Sequence, residues 1–154
     1  MNAPLSILDL SPIPAGGSAA DALRNSIDLA WQAETFGYRR YWVAEHHFTP
    51  GVATAQPAVL LALLAAATST IRLGSGAVQT GHQTPISIVE QFGTLDAVHP
   101  GRFDLGLGRS GQRRAEAIKE VKEGPAVPPA AAHLVDGLLI PAPFRFAKLV
   151  LSRL

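Results

Sequence analysis

Two rhythms alternate along the chain. Short apolar runs of strand character cover Leu5 to Leu10, Tyr41 to Ala44, Ile71 to Val78 and Arg102 to Gly108. Between them lie longer segments with helical signals. The first opens at Ser18, a capping residue with Asp21 three positions on. It sets Leu23, Ile27, Ala30, Ala33 and Phe36 on one stripe and stops at Gly37. The second, Gln56 to Thr68, is apolar and alanine-rich. The third, Pro85 to His99, has proline at its start and Pro100-Gly101 at its end.

Strand and helix therefore alternate in four β-α steps with short connections. This predicts an α/β protein with a parallel sheet covered by helices. An open doubly wound sheet accepts such units, and so does a (β/α)8 barrel. A barrel takes ~250 residues, which makes this chain roughly the first half of one. The β-α units occupy residues 1–124. Within that span "QRRAEAIKEVKEG" reads as a surface helix with a thin apolar stripe. Residues 125–154 read as a separate insertion or linker, because five prolines fall between Pro125 and Pro143.

Composition narrows the function classes. The chain has 154 residues, 47% of them hydrophobic and 16% charged, as expected of a domain with a real core. A net charge of +1 gives no field directed at nucleic acid or an anionic membrane. Cysteine is absent, so disulfides and thiolate chemistry are excluded, and a cytoplasmic location is expected. The opening residues carry no basic segment and too short an apolar run to read as a signal peptide. The longest apolar stretch, Pro57 to Ala67, falls short of the ~20 residues that span a bilayer.

Three constellations carry candidate chemistry. "GLGRSG", Gly106 to Gly111, fits the dinucleotide pattern G-x-G-x-x-G. Its context does not, since no second strand with an acidic residue follows at the required distance. A narrower reading remains: closely spaced glycines, Gly108 among them, bare backbone N–H groups, and Arg109 offers a planar fork for a phosphate. The alternative is a tight turn with a solvated arginine. In "EHH", Glu45 to His47, adjacent strand residues point to opposite faces, so a shared metal is not expected. One imidazole facing a pocket suits proton transfer; the alternative is a histidine satisfied by backbone. Glu45 is expected to orient the turn. "GSGAV", Gly74 to Val78, places small residues where a flat ligand can approach the backbone, or where helix and strand pack. His46, Gly76-Ala77 and Arg109 all fall at the C-terminal ends of their strands. In a parallel α/β protein those ends share one rim, where ligands bind.

At these residues the sequence resembles the luciferase-like flavin-dependent monooxygenases. The likeness is carried by "GYRRYWVAEHHFTPG", "IRLGSGAV" and "TPISIVEQFGTLDAVHPGRFDLGLGR", over about residues 5 to 124. It implies a TIM-type (β/α)8 barrel of which these units are the N-terminal half. It further implies reduced FMN or, alternatively, F420 as cosubstrate, dioxygen and a small-molecule substrate, and often a dimer. By resemblance His46 matches the catalytic histidine. Gly76 and Ala77 match a non-proline cis peptide against which the flavin ring packs, and Arg109 matches a phosphate contact. Asp96 and Arg102 look like an ion pair closing a turn. Asp9 is expected to cap a loop rather than face the pocket. Family members continue through further strands, so the expectation here is either a fragment, or a homo-oligomer or a complementing half-barrel chain that completes the barrel. A non-catalytic binding or assembly module is the competing reading.

Overall fold

The helix-start and helix-stop signals act where the pattern puts them. In a computed structural model that describes residues 3–47 and 49–109, the order is β1 (Ser6–Asp9), α1 (Ala19–Thr35), β2 (Arg40–Val43), α2 (Pro57–Ala67), β3 (Arg72–Gln79), α3 (Pro85–Val98) and β4 (Phe103–Gly108). Ser18 and Asp21 form a reciprocal capping box at the start of α1. At its end Gly37 takes a φ of 77°. The Tyr38 N–H then reaches the Ala33 carbonyl and the Gly37 N–H the Glu34 carbonyl, a Schellman closure. Pro57 and Pro85 stand in the first turns of α2 and α3.

The strands form one parallel sheet in the order β1-β2-β3-β4. The helices pack on one face of it. There Tyr41, Val43, Leu73 and Val78 meet Ala30 and Ala33 of α1, Leu60, Leu61 and Leu64 of α2, and Ile88, Phe92 and Leu95 of α3. The other face carries Leu8, 61% exposed, and the half-buried Trp42. Sequential parallel strands with helices on a single face are the units of a (β/α)8 barrel, here its N-terminal half.

Three expectations need correction or a boundary. Phe36 does not extend the buried stripe of α1; it is 74% exposed at the C-cap. The buried stripe is Ala22, Ser26, Ala30 and Ala33. Ser26 belongs to it because its Oγ bonds the Ser11 hydroxyl and its carbonyl accepts from Tyr41 Oη. Asp96 and Arg102 do not pair. Asp96 Oδ1 accepts the Gly101 N–H at 2.8 Å. Arg102 turns instead to the end of α2, donating to the Thr68 carbonyl at 2.8 Å, Thr68 Oγ1 at 2.7 Å and the Ile71 carbonyl at 3.0 Å. A helix C-terminus with orphan carbonyls competes better for a guanidinium than a solvated carboxylate does. The helix expected over residues 112–124, the boundary at residue 124, and the proline-rich stretch lie outside the described residues.

Candidate active site

Parallel strands in sequential order bring their C-terminal ends to one edge, and cross-links between the loops hold that edge together. The loops after β1 and β2 are tied by Ile13 N–H to the Gly51 carbonyl at 2.8 Å and Ala53 N–H to the Ser11 carbonyl at 3.0 Å. Asp9, 7% exposed, accepts the Ser11 N–H on Oδ1 and the Tyr41 phenol on Oδ2, so it braces the first loop as expected. Burial, together with the Asp9 carboxylate, pushes the Tyr41 phenol pKa up. The Gly108 carbonyl accepts both the N–H and the hydroxyl of Thr80, joining the ends of β3 and β4.

The expected site residues fall on this edge. His46 is exposed, three residues past the end of β2. His47 turns differently: its Nε2 lies 2.6 Å from Glu45 Oε1, and its ring packs on His82 with centroids 4.3 Å apart. The two imidazoles thus have separate surroundings, and no group of three or more metal-ligating side chains occurs among the described residues.

The Gly76–Ala77 peptide bond is cis. It lies where the β3–β4 register slips, between Ser75 and Val78. Gly76 is exposed on the face opposite the helices: a Cβ there meets only Trp42 at 3.8–3.9 Å and Leu8 at 4.0 Å, ordinary contacts that leave a shallow ledge. The neighbouring glycines are packing residues. A Cβ on Gly74 falls 2.4 Å from the Trp42 ring, one on Gly106 falls 2.2 Å from the Ser75 carbonyl, and one on Gly108 falls 3.2 Å from Ala77 Cβ. Gly74 is thus kept small by the Trp42 ring of the neighbouring strand rather than by a helix, whereas the surface at Gly76 is open among the described residues. Arg109 is exposed immediately after β4; the remainder of "GLGRSG" lies outside the described residues.

Sequence reasoning missed the polar cluster beneath this edge. Glu45 is 1% exposed. Its Oε2 accepts the Gln79 N–H and Gln83 Nε2, each at 2.9 Å, and its own carbonyl accepts Gln79 Nε2. Gln83 Oε1 is buried and has no hydrogen-bond partner among the described residues. The signal was the pair of glutamines at the end of an otherwise apolar strand and in the loop after it.

At the other end of the strands, Asp104 receives Arg72 through Nε and Nη2 and Arg40 through Nε. Burial opposes its ionisation, but the two guanidiniums outweigh that and hold its carboxyl below the usual range. This cluster fixes the sheet and is remote from the rim.

Residues 4–123 match the family model described as luciferase-like monooxygenase. The chain belongs to the luciferase-like monooxygenase family. A luciferase-like monooxygenase of Escherichia coli (strain K12) is 50% identical over 136 residues, 85% of this chain and 41% of that protein. Among solved structures, apo-MsnO8 is 38% identical with a TM-score of 0.71, covering 88% of this chain and 37% of the other. The oxygenating constituent of the Pseudomonas putida 3,6-diketocamphane monooxygenase, solved with FMN, is 23% identical with a TM-score of 0.69. It covers 78% of this chain and 33% of that one, and shares the fold. The chain thus spans about two-fifths of the length of that Escherichia coli relative.

Proposed function

We propose that this chain supplies the flavin-binding rim of a luciferase-like monooxygenase that uses reduced FMN and dioxygen to oxidise a small-molecule substrate. One observation carries the reading: in a member of this family, an imidazole, an open backbone ledge and a guanidinium share a single edge of a parallel sheet. The ledge at Gly76 and Ala77 receives one face of a flat ring system, because no side chain among the described residues covers Gly76. Gly108 keeps the neighbouring strand end small beside Ala77. Arg109 binds the cofactor phosphate through its planar fork. Bound there, reduced flavin supplies the electron pair for oxygen activation. The His46 imidazole holds or releases a proton at a ring nitrogen.

The apolar side chains left on the helices support self-association as part of the same reading. Val59 and Leu63 of α2 and Ile86 and Val89 of α3 are each 45–64% exposed. A second copy, or a complementing half-barrel chain, covers such surface.

Anaerobic titration of the chain with dithionite-reduced FMN, and separately with reduced F420, tests the cofactor assignment. Saturable binding of FMN, with oxygen uptake on admission of air that differs from that of free flavin, supports it. Preference for F420 without oxygen uptake replaces it with an F420-dependent oxidoreductase. Binding of neither leaves a non-catalytic module.

A further inference from the structure

The ledge and the His46 turn lie on different strands, and the sheet ladder does not join them. Pairing of β2 with β3 ends at Val43↔Ser75, before Gly76 begins. On the other side the β3–β4 register slips between Ser75 and Val78. The backbone of Gly76 and Ala77 is therefore outside regular pairing on both sides, and something else must fix its position relative to the turn.

We propose that Glu45 is a positioning residue that clamps the His46 turn to the Gly76–Ala77 ledge through Gln79. Its side chain is fully buried, and its two oxygens serve different elements. Oε1 holds His47 at 2.6 Å within the turn. Oε2 takes the Gln79 N–H at 2.9 Å, two residues beyond Ala77. Gln79 answers by donating its side-chain amide to the Glu45 carbonyl. Main chain and side chain of each residue thus bind the other, a two-point link that resists both sliding and rotation. The circuit continues from the Gln79 carbonyl, which accepts the His82 N–H at 3.0 Å, to the His82 ring, which packs on His47. Gln83 adds a second donor to Oε2. A carboxylate is suited to this place because it accepts several donors at once, and a buried carboxylate without them is costly.

The functional half of this inference rests on the flavin reading; the mechanical half does not. The test therefore uses two readouts on the whole chain. Amide hydrogen exchange at Ala77, Gln79 and His47 reports the clamp without any ligand. FMN affinity, corrected for folded fraction, and the visible circular dichroism of bound FMN report its consequence. Glu45→Ala is expected to speed exchange at Ala77 and Gln79 by about tenfold or more and to weaken FMN binding by a similar factor. Glu45→Gln keeps an acceptor for the Gln79 N–H and is expected to restore most of both. Gln79→Ala, which removes only the reciprocal side-chain bond, keeps the test open if Glu45→Ala does not fold. It is expected to speed exchange at His47. Unchanged exchange at Ala77 and Gln79 in folded Glu45→Ala, or at His47 in Gln79→Ala, overturns the clamp. Altered exchange with unchanged FMN affinity and dichroism in the folded variant makes Glu45 a structural residue and overturns its positioning role. Failure of the wild-type chain to bind FMN removes the flavin reading, while the exchange data still decide the mechanical half.

Discussion

Ser75 and Gly106 bind each other twice. Ser75 Oγ donates to the Gly106 carbonyl at 3.0 Å and accepts the Gly106 N–H at 3.1 Å. The pair sits where the β3–β4 register slips, so a side-chain hydroxyl replaces the missing ladder bonds beside the ledge. Ser75 is fully buried, and truncating its side chain removes both of these bonds to Gly106. Ser75→Ala is expected to destabilise the chain by about 1–3 kcal/mol in urea unfolding.

The glycines of the rim differ in what they can tolerate. An added methyl on Gly106 meets the Ser75 backbone oxygen at 2.2 Å, whereas one on Gly74 meets chiefly the ring of Trp42 at 2.4 Å, with the Asp104 backbone oxygen farther off at 3.0 Å. Backbone cannot step aside, but the half-buried indole can turn. Gly106→Ala is therefore expected to cost about 2 kcal/mol or more and Gly74→Ala less, as measured by midpoint shifts in the same denaturant. Equal costs contradict the distinction.

Glu34 gives the fold an acid-sensitive joint. Its partial burial opposes ionisation, but the N–H groups of Thr70, Ile71 and Ser69 and the Thr70 hydroxyl outweigh this and bring its pKa down from 4.5 to about 2. The folded state thus holds the charged form more strongly than the unfolded chain does. The stabilisation is complete above the unfolded value of 4.5 and disappears as pH falls toward about 2. Stability measured across that window is expected to decline with acid, and Glu34→Gln is expected to flatten the decline.

Arg102 gathers the end of α2 and the start of β3 with its guanidinium, which burial drives toward a lower pKa. Lysine keeps the charge but cannot bridge three separated oxygens. Arg102→Lys is expected to lose about 1–3 kcal/mol of stability, read by thermal and urea unfolding. An unaltered midpoint removes the bracing role.

Much of the fold was legible because burial imposes periodicity. Seven elements followed from apolar rhythm and from Ser18, Gly37, Pro57 and Pro85 as boundary marks. The common rim of His46, Gly76 and Arg109 followed from strand direction alone. What escaped the sequence was side-chain direction across loops. Nothing local to Glu45 says that its carboxylate turns inward to a strand 34 positions away. Asp96 and Arg102 are near neighbours in sequence, yet each found a better partner in backbone groups left open by a turn and a helix end. Phe36 fits the helical stripe by spacing, but Gly37 ends the helix before that side chain can pack.

The exposed apolar residues of α2 and α3 bear on assembly. Leu63→Glu is expected to lower the sedimentation-derived mass toward that of a single chain without unfolding it. A wild-type chain that is already monomeric at micromolar concentration contradicts self-association.

The most direct test of the central claim compares FMN with riboflavin, which lacks the phosphate, in the wild-type chain and in Arg109→Gln. If Arg109 binds the phosphate at the edge of the Gly76–Ala77 ledge, FMN binds more tightly than riboflavin, by roughly tenfold or more. The variant then loses that preference while riboflavin affinity stays the same. Equal affinity for the two ligands in the wild type, or an FMN preference that survives in Arg109→Gln, contradicts the account.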